Sequence, residues 1–277
     1  MQKTSELFGA RFAIDYGKDK DLEVIETVEG ILSRRSIRRY TDQDVPDELL
    51  DVLLACAQSA PTKSNLQQYS IIIVSDADSR SAFQRLCPST DWLVTCPIFL
   101  VFCADMRRNQ LVGEFRGYNH ENNNLDTFLN ATVDAALAMQ CFITAAESAG
   151  LGCAPISEVR NRIDEVSKLL GLPKGVFPVS GLTAGWPAQT GYVNQRLPKS
   201  VVVHRNRYNE ASLESEIAAY DKRRHEIFPI PTDRQLHTDI YGVTETCTWS
   251  ENVARQLSLS ERPEFRTYLN SQGFDLV

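Results

Sequence analysis

The amino-acid sequence predicts an α+β sandwich. Short apolar runs, such as Tyr69 to Val74 and Pro97 to Ala104, are typical of buried strands. Longer segments with apolar residues at helical spacing lie between these runs. The chain has 277 residues, of which 43% are apolar, and can therefore bury a large core. Helices and strands interleaved in this way indicate an α+β fold.

The helices of the first half are predicted from apolar spacing and from proline. Apolar residues three or four positions apart predict a helix over about residues 22–33. Residues 1–21 are polar and mixed, so we expect an N-terminal arm before a single domain over residues 22–277. Pro46 opens the second helix, because proline is best tolerated in the first turn, and Pro61 ends it.

The second half alternates further helices and strands. The stretch from Asp105 to Leu125 is polar and irregular, which predicts an exposed excursion or lid. An alanine-rich helix over residues 125–149 is apolar on more than one side, so we expect it to be buried and to end at Gly150. The remaining predicted elements are a strand at 152–156, a helix to Leu170, a strand at 176–182 and helices near 249–259 and 263–272.

Charge and cysteine usage narrow the class of protein. The formal net charge of -7 argues mildly against nucleic acid or an anionic membrane as a partner. No stretch has the pattern of a signal peptide, and none approaches the roughly 20 apolar residues that span a bilayer. The seven cysteines are scattered without a C-x-x-C pair, which predicts reduced, mostly buried thiols. We therefore expect a soluble, cytoplasmic protein with neither a nucleic-acid nor a membrane partner.

Several common catalytic motifs are missing from the sequence. The four histidines are isolated, no cysteines have zinc spacing, and neither a G-x-S-x-G elbow nor a Walker loop is present. Gly150-Leu151-Gly152 could begin a dinucleotide fingerprint, but Pro155 occupies the third glycine position. We therefore expect no metal site, and an enzyme of this composition would rely on a bound cofactor for its chemistry.

Three constellations could bind such a cofactor. Three arginines and a hydroxyl within residues 34–38 can present forked donors to a phosphate, although a solvated basic face would have the same sequence. The loop Ala60 to Tyr69 carries amide and hydroxyl side chains that could hydrogen-bond to the polar edge of a heterocycle, or it is an ordinary polar turn. Arg196 could complete the anion site from a distant segment, or it is a surface arginine.

The order of these motifs resembles that of the nitroreductase family of flavoproteins. The resemblance is strongest to the branch of oxygen-insensitive NAD(P)H nitroreductases and NADPH-flavin reductases, and it runs from about Ile31 to the C-terminus. Its markers are the Arg-Arg-Ser-Ile-Arg-Arg-Tyr run at 34–40, the loop Ala60 to Tyr69, residues 101–105, residues 145–152, residues 178–187, Arg196-Leu197-Pro198, Val203-His204 and Thr248-Trp249-Ser250.

The resemblance implies a nitroreductase-like sandwich with a mixed central sheet flanked by helices. It also implies an intertwined homodimer with two FMN sites at the subunit interface. Arg34, Arg35 and Ser36 would hold the FMN phosphate and ribityl chain. Arg38 would lie toward the pyrimidine end of the ring. Thr62, Asn65 and Gln67 would hydrogen-bond the ring and ribityl oxygens. The backbone of Pro155, Ile156, Ser157 and Glu158 would approach the flavin. Arg196 would complete phosphate binding, and the turn from Thr90 to Trp92 would make a further contact.

The activity that the resemblance implies is an FMN-dependent, ping-pong transfer of two electrons from NADPH or NADH to nitro-aromatics, quinones or flavins. The flavin would carry the chemistry without a catalytic side chain, with Arg38 as electrostatic support. Candidates for reading the 2′-phosphate of NADPH are Arg205, Arg207, Arg223 and Arg224. One alternative is a reductase that supplies free reduced flavin to a monooxygenase, and another is a flavin-storing or flavin-sensing protein with little turnover.

Four departures from the family pattern bear on cofactor affinity. Asn194 stands where this branch usually has a lysine, so one positive charge is missing near the expected phosphate site. Residues 155–158 lack the usual glycines, and Glu158 adds a negative charge there. Gln68-Tyr69 replaces the more familiar Pro-Trp, and residues 1–21 have no obvious counterpart.

Overall fold

A computed structural model describes residues 3–13 and 26–277 of the chain. The chain divides into two compact units, and each is described by itself. The first unit combines Met1–Ser33 with Val193–Glu261, and the second combines Arg34–Tyr192 with Arg262–Val277. Residues 14–25 lie outside the described residues, so the expected boundary between an arm over 1–21 and a domain over 22–277 stays a prediction.

Twelve α-helices are present in the described residues. In chain order they are α1 (Thr4–Phe12), α2 (Glu26–Ser33), α3 (Asp47–Gln58), α4 (Ala77–Leu86), α5 (Arg107–Arg116), α6 (Leu125–Ser148), α7 (Ile163–Leu169), α8 (Lys199–Val202), α9 (Leu213–Ile227), α10 (Thr238–Tyr241), α11 (Trp249–Leu257) and α12 (Phe265–Ser271). The helices α1, α2 and α8 to α11 belong to the first unit, and α3 to α7 and α12 belong to the second.

The second unit is built on a four-stranded sheet with the order β1-β2-β4-β3. All eight residues of β2 are buried. Ile98, Leu100 and Phe102 pack with residues of α6 and β4 in one apolar cluster, and Phe99, Val101 and Cys103 pack in a second one. The strands are β1 (Tyr69–Ile73), β2 (Ile98–Asp105), β3 (Gly152–Ile156) and β4 (Val176–Gly185). Helices packed on a single sheet in this way confirm the predicted α+β class.

The direction of the strands differs from the expected mixed sheet. Each pair of neighbouring strands in the described residues is antiparallel, and the one parallel pairing among these residues is an isolated bridge between Ser36 and Cys153. Buried apolar runs specify that a strand is covered on its faces but do not specify its direction. The sequence therefore predicted the strands correctly and their mixed arrangement wrongly.

The ends of the predicted helices follow their expected signals. Pro46 directly precedes α3, and α3 ends at Gln58, three residues before Pro61. Asn124 caps α6 by accepting the Thr127 amide at 3.0 Å, and Gly150 follows the helix with a φ of 89°. The expected start of the helix over 22–33 lies outside the described residues.

The segment from 105 to 125, which was expected to be irregular, contains α5. The helix has no buried residues, and its sequence is polar with Gly113 near its end, so apolar spacing gives no sign of it. Its start is fixed by Asp105, whose carboxylate accepts the backbone amide of Arg108 at 3.1 Å. A carboxylate at the N-terminus stabilises a helix that its own side-chain pattern does not predict.

The long helix α6 is covered on one side rather than all round. Ala131, Ala135, Ala138 and Phe142 on one face are fully buried. The opposite face exposes a stripe of four residues, Leu125, Leu129, Val133 and Leu137, which are 37% to 55% exposed. By length and composition α6 is the one described helix that could cross a membrane, a test that a core helix also passes. The expectation of complete burial is therefore wrong within this chain.

The seven cysteines are free, as the sequence predicts. Five are buried, and Cys56 and Cys141 are partly buried. Burial raises the pKa of the Cys87 and Cys96 thiols to about 12, with the charge of Glu158 adding to the effect at Cys87. These buried thiols therefore stay protonated and unreactive at neutral pH.

Candidate functional site

The basic segment over residues 34–40 is docked onto the edge strand β3. Ser36 forms a parallel bridge with Cys153, and the Ile37 amide donates to the Cys153 carbonyl at 3.1 Å. The Ile37 side chain is only 4% exposed and lies over Gly152, where an added Cβ would fall 2.5 Å from the Ile37 Cβ. A residue without a side chain at position 152 is therefore required for this docking.

The far end of the segment is fixed by Tyr40. The Tyr40 hydroxyl donates to the Ile37 carbonyl at 2.7 Å and lies 2.9 Å from the Thr183 hydroxyl on β4. The Thr41 amide donates to the Trp186 carbonyl at 2.9 Å. Burial raises the pKa of Tyr40, so the hydroxyl stays protonated and able to donate. Arg38 and Arg39 therefore project from a backbone that is held on both sides, and Arg34 and Arg35 directly precede the first of these anchors.

Arg34 and Arg35 line an open cavity of about 290 Å³ next to Gly152. The Arg34 Nε lies 3.3 Å from a carboxylate oxygen of Glu147, and Arg35 Nη1 donates to the Thr190 carbonyl at 3.5 Å. These contacts orient both guanidinium groups beside the cavity. Paired guanidinium groups suit an anion with several oxygens, such as a phosphate. The structure thus places Arg34 and Arg35 at this cavity, which Ser36 does not line, and the expectation that all three hold a phosphate and its chain stays a prediction.

Arg38 is exposed and lies over Trp92. The Arg38 guanidinium carbon is 5.5 Å from the centre of the Trp92 ring, a distance at which a cation interacts favourably with an aromatic face. The Trp92 Nε1 donates to the Thr183 hydroxyl at 3.2 Å, which fixes the ring. Arg39 donates two hydrogen bonds to Asp91, at 3.0 and 2.8 Å, and these lower the pKa of that carboxyl. The turn over residues 90–92 is therefore tied to the basic segment.

Residues 155–158 continue from the end of β3 toward the same turn. Glu158 accepts the Ser89 amide at 3.3 Å, which directs its negative charge to that amide. The Thr90 hydroxyl donates to the Cys87 carbonyl at 2.7 Å, and its side chain is buried. Pro155 and Ser157 are exposed, whereas Ile156 is buried in the core. In this turn the side chain beside Arg38 is that of Trp92, and the Thr90 side chain supports the turn.

The loop that carries Thr62, Asn65 and Gln67 has an unusual backbone. Ser64, Asn65 and Gln67 adopt φ values of 50°, 57° and 52°, in the left-handed region that residues other than glycine rarely occupy. Such a conformation costs free energy and persists only where surrounding contacts enforce it. Both Asn65 and Gln67 are exposed, and the Gln67 amide donates to the Asn65 side chain at 3.3 Å.

Asp134 on α6 enforces the shape of this loop. Its two carboxylate oxygens accept the backbone amides of Lys63 and Gln68, each at 3.0 Å. Asp134 is only 1% exposed, so these bonds form away from water. Arg108 clamps the end of the loop by donating to the Gln67 carbonyl at 2.8 Å and to the Tyr69 carbonyl at 3.1 Å. Together they hold Asn65 and Gln67 in place.

Asp134 and Arg108 were not identified by sequence reasoning. Asp134 carried a usable signal, because a carboxylate in the middle of an apolar, alanine-rich helix must find hydrogen-bond donors when it is buried. Arg108 carried no such signal, since it lies in the polar segment that was expected to be irregular.

The predicted residues do not all share one cavity within the second unit. Asn65 and Gln67 line a larger cavity of about 930 Å³ beside β1, together with Arg108. None of the residues that line this cavity also lines the one at Arg34 and Arg35.

Arg196 belongs to the first unit. It is exposed, and its Nη1 donates to the Asn194 carbonyl at 3.1 Å. Among the described residues, no group of three His, Cys, Asp or Glu side chains is placed to hold a metal ion.

The fold and these groups define a class: an α+β protein with a cationic cavity and an arginine stacked on an aromatic ring beside its sheet. Family comparison agrees with this class. The Nitroreductase family model matches residues 31–90 and 84–186, and the model of the Nitroreductase family C-terminal domain matches residues 194–277. The chain belongs to the nitroreductase family.

Characterised relatives are similar over most of the chain. The protein is 35% identical over 253 residues to the FMN reductase (NADPH) of Bacillus subtilis, covering 90% of this chain and 98% of the relative. It is 35% identical over 248 residues to the oxygen-insensitive NADPH nitroreductase of Salmonella typhimurium, with coverage of 90% and 98%.

Solved structures show the same fold. The hypothetical oxidoreductase YcnD from Bacillus subtilis superposes with a TM-score of 0.83 at 36% identity, covering 91% of this chain and 99% of that one. The NADPH:FMN oxidoreductase from Vibrio harveyi, solved with NAD+, gives a TM-score of 0.79 at 32% identity, with coverage of 89% and 97%. The nitroreductase-like fold is therefore confirmed.

The docking of the basic segment is tested by Gly152→Ala. The new methyl group would collide with Ile37, so we expect the free energy of unfolding in urea to fall by about 1–3 kcal/mol, the usual cost of overpacking. The matched control is Gly30→Ala in α2, where an added Cβ meets nothing within 4 Å. That control should gain roughly 0.5–1 kcal/mol from the better helix former. Equal stability of the Gly152→Ala variant and the wild type would contradict the docking.

The role of Asp134 is tested by Asp134→Asn. Asparagine replaces one acceptor oxygen by a donor, so one loop amide loses its partner, and we expect a loss of about 1–3 kcal/mol in the free energy of unfolding. Hydrogen exchange should accelerate at the Lys63 and Gln68 amides. The control Asp51→Asn, at an exposed position of α3 beyond its first turn, should change stability by less than about 0.5 kcal/mol. Unchanged exchange at both amides would show that Asp134 does not hold the loop.

Proposed function

We propose that this protein is an FMN-dependent NAD(P)H oxidoreductase that reduces nitro-aromatics, quinones or flavins. The observation that carries the proposal is the rigidly docked segment with Arg34 and Arg35 at a cavity and Arg38 on Trp92, in a chain that belongs to the nitroreductase family. Two relatives described above are named FMN reductase (NADPH) and oxygen-insensitive NADPH nitroreductase, and these names support the proposed activity.

The residues that are present fit FMN chemically. The cofactor needs donors for a phosphate dianion, hydroxyl-binding groups along its ribityl chain, and a mixed polar and apolar surface for its ring. We assign Arg34 and Arg35 to the phosphate, because guanidinium forks match phosphate oxygens, and Ser36 to the ribityl chain. Glu147 removes part of the positive charge from Arg34 but fixes its orientation at the cavity. The cationic, open cavity of about 290 Å³ suits the phosphate end of the cofactor.

We assign the ring to the surface beside Arg38. The Arg38 guanidinium would face the pyrimidine end, the backbone of residues 155–158 would approach the ring, and the turn that contains Thr90 would support that edge. The exposure of Pro155 and Ser157 is compatible with this assignment. Arg196 is assigned to the phosphate from the family resemblance alone.

The amide-bearing loop is assigned to the FMN site of a second copy of this chain. Thr62, Asn65 and Gln67 would hydrogen-bond the ring and ribityl oxygens, but Asn65 and Gln67 line a different cavity from Arg34 in the single chain. We therefore propose a homodimer in which each FMN site draws residues from both subunits. The exposed stripe of four apolar residues along α6 supports a large apolar interface, since a monomer rarely exposes such a surface.

Bound FMN supplies the redox chemistry by accepting hydride from a reduced nicotinamide and passing two electrons to the acceptor. The chain itself contributes binding and electrostatics rather than a catalytic acid or base. Arg38 would provide positive charge at the pyrimidine end of the ring, which would stabilise negative charge there. Donor and acceptor would use the same open site in turn, which is a ping-pong cycle. Candidates for contact with the 2′-phosphate of NADPH are Arg205, Arg207, Arg223 and Arg224.

We propose that the protein works as a soluble enzyme in the cytoplasm, with small aromatic or quinone acceptors and with neither nucleic acid nor membrane as partner. The seven free and mostly buried thiols support a reducing compartment.

The proposal is tested by anaerobic mixing of the yellow FMN-loaded protein with NADPH. Absorbance near 450 nm should bleach within the time of a catalytic cycle, and nitrofurazone or menadione should restore it. Parallel runs with NADH and with free FMN as acceptor would rank the donors and acceptors. Tight FMN binding with slow bleaching by either nicotinamide would instead indicate a storage or sensor protein, and failure to take up FMN would overturn the proposal.

Arg38→Ala tests the electrostatic role of Arg38. A charge-assisted hydrogen bond is worth about 1.5–3 kcal/mol, so the rate of flavin reduction should fall roughly tenfold or more. Circular dichroism should stay unchanged, and the free energy of unfolding should fall by no more than about 1 kcal/mol, the usual value of an exposed cation–π contact such as that with Trp92. The control Arg85→Ala removes an exposed arginine of α4 and should keep the wild-type rate. Wild-type reduction by the Arg38→Ala variant would remove this residue from the mechanism.

A further inference from the structure

The N-terminal helix α1 lies outside the residues that the two family models match, which are 31–90, 84–186 and 194–277. The FMN reductase (NADPH) of Bacillus subtilis is matched over 98% of its length and over 90% of this chain. The role of α1 is therefore argued from its own contacts in the first unit.

Arg11 near the end of α1 is buried in the first unit, with only 6% of its surface exposed. Its Nε and Nη2 donate to the Leu32 carbonyl, at 3.0 and 2.9 Å, and its Nη1 donates to the Asn194 carbonyl at 2.8 Å. The Arg11 carbonyl in turn accepts the Arg196 amide at 2.9 Å. One residue of α1 thus bonds both to the end of α2 and to the segment 194–196.

The partners of Arg11 are close in the chain to the arginines assigned to phosphate. Leu32 comes two residues before Arg34, and Asn194 comes two residues before Arg196. The Asn194 carbonyl also accepts Arg196 Nη1, at 3.1 Å, so two guanidinium groups meet at one oxygen. Arg11 therefore brings a second positive charge to the backbone carbonyl that the Arg196 side chain contacts.

We infer that Arg11 is a positioning residue for phosphate binding, which acts by fixing the segment that carries Arg196. The inference rests on the proposed FMN-binding function. Arg11 holds the carbonyl of Leu32 and the carbonyl of Asn194 at fixed distances, and its backbone holds the Arg196 amide. A guanidinium is suited to this role because its planar donors reach two carbonyls in fixed directions, which a lysine ammonium on a flexible stem does not.

Arg11→Met tests this inference, since methionine keeps an unbranched apolar side chain and removes the donors and the charge. Apoprotein is titrated with FMN and, separately, with riboflavin, which lacks the phosphate. We expect FMN affinity to fall about tenfold, equivalent to roughly one charge-assisted hydrogen bond, with riboflavin affinity unchanged. The control Arg234→Met removes an exposed arginine of the same unit and should leave both affinities unchanged.

Two further variants distinguish a role of Arg11 in positioning Arg196 from a general loss of structure. In an Arg196→Met background, the added Arg11→Met change should weaken FMN binding by less than twofold, because its effect acts through Arg196. Arg11→Lys, which keeps the charge and loses the fork, should recover only part of the FMN affinity and covers the case in which Arg11→Met fails to fold.

If a folded Arg11 variant keeps the wild-type affinity for FMN, the inference is overturned while the proposed function stays intact. Equal loss of affinity for FMN and riboflavin would overturn it as well, because it would indicate a general defect. A wild-type protein that fails to bind FMN would instead remove the proposed function itself.

Discussion

The docking of residues 34–40 onto the edge strand β3 is the constraint from which the candidate site follows. The bridge from Ser36 to Cys153 and the contact of Ile37 with Gly152 fix the start of the segment, and Tyr40 fixes its end. Arginine side chains are long and lose much rotamer entropy when they bind a ligand. A backbone held at both ends reduces that cost, so the position of the cationic groups is set before a ligand arrives.

Buried charged groups serve the same purpose elsewhere in the chain. In the second unit, the Asp134 carboxylate holds two amides of a loop with left-handed residues. In the first unit, the Arg11 guanidinium holds two carbonyls. A buried charge is costly unless its hydrogen bonds are satisfied, so each of these residues strongly favours one backbone arrangement. Neither group contacts an expected ligand, yet each determines where an expected ligand-binding residue lies.

The sequence was sufficient for much of the fold and for part of the site. Strands with buried apolar runs and the helix at α6 were predicted because hydrophobic spacing is a local property. The helix α5 was missed because its start depends on the Asp105 carboxylate rather than on an apolar pattern of its own. The exposed face of α6 was missed because apolar spacing does not reveal what covers a helix. Arg34 and Arg35 could be expected to share a cavity since they are adjacent in the chain, and their role there stays a prediction. The roles of Asp134 and Arg11 depend on contacts 71 and 183 residues away, which no local pattern encodes.

Phosphorus NMR of the FMN-loaded wild-type protein tests the central claim, that fixed arginines bind the cofactor through its phosphate. A free phosphate monoester loses its second proton with a pKa of about 6. Guanidinium groups favour the dianion, so the signal of the bound phosphate should differ from that of free FMN and should not move between about pH 5.5 and 8. A bound-state signal that titrates near pH 6, as in free FMN, would contradict the account, because it would place the phosphate in solvent, away from the arginines.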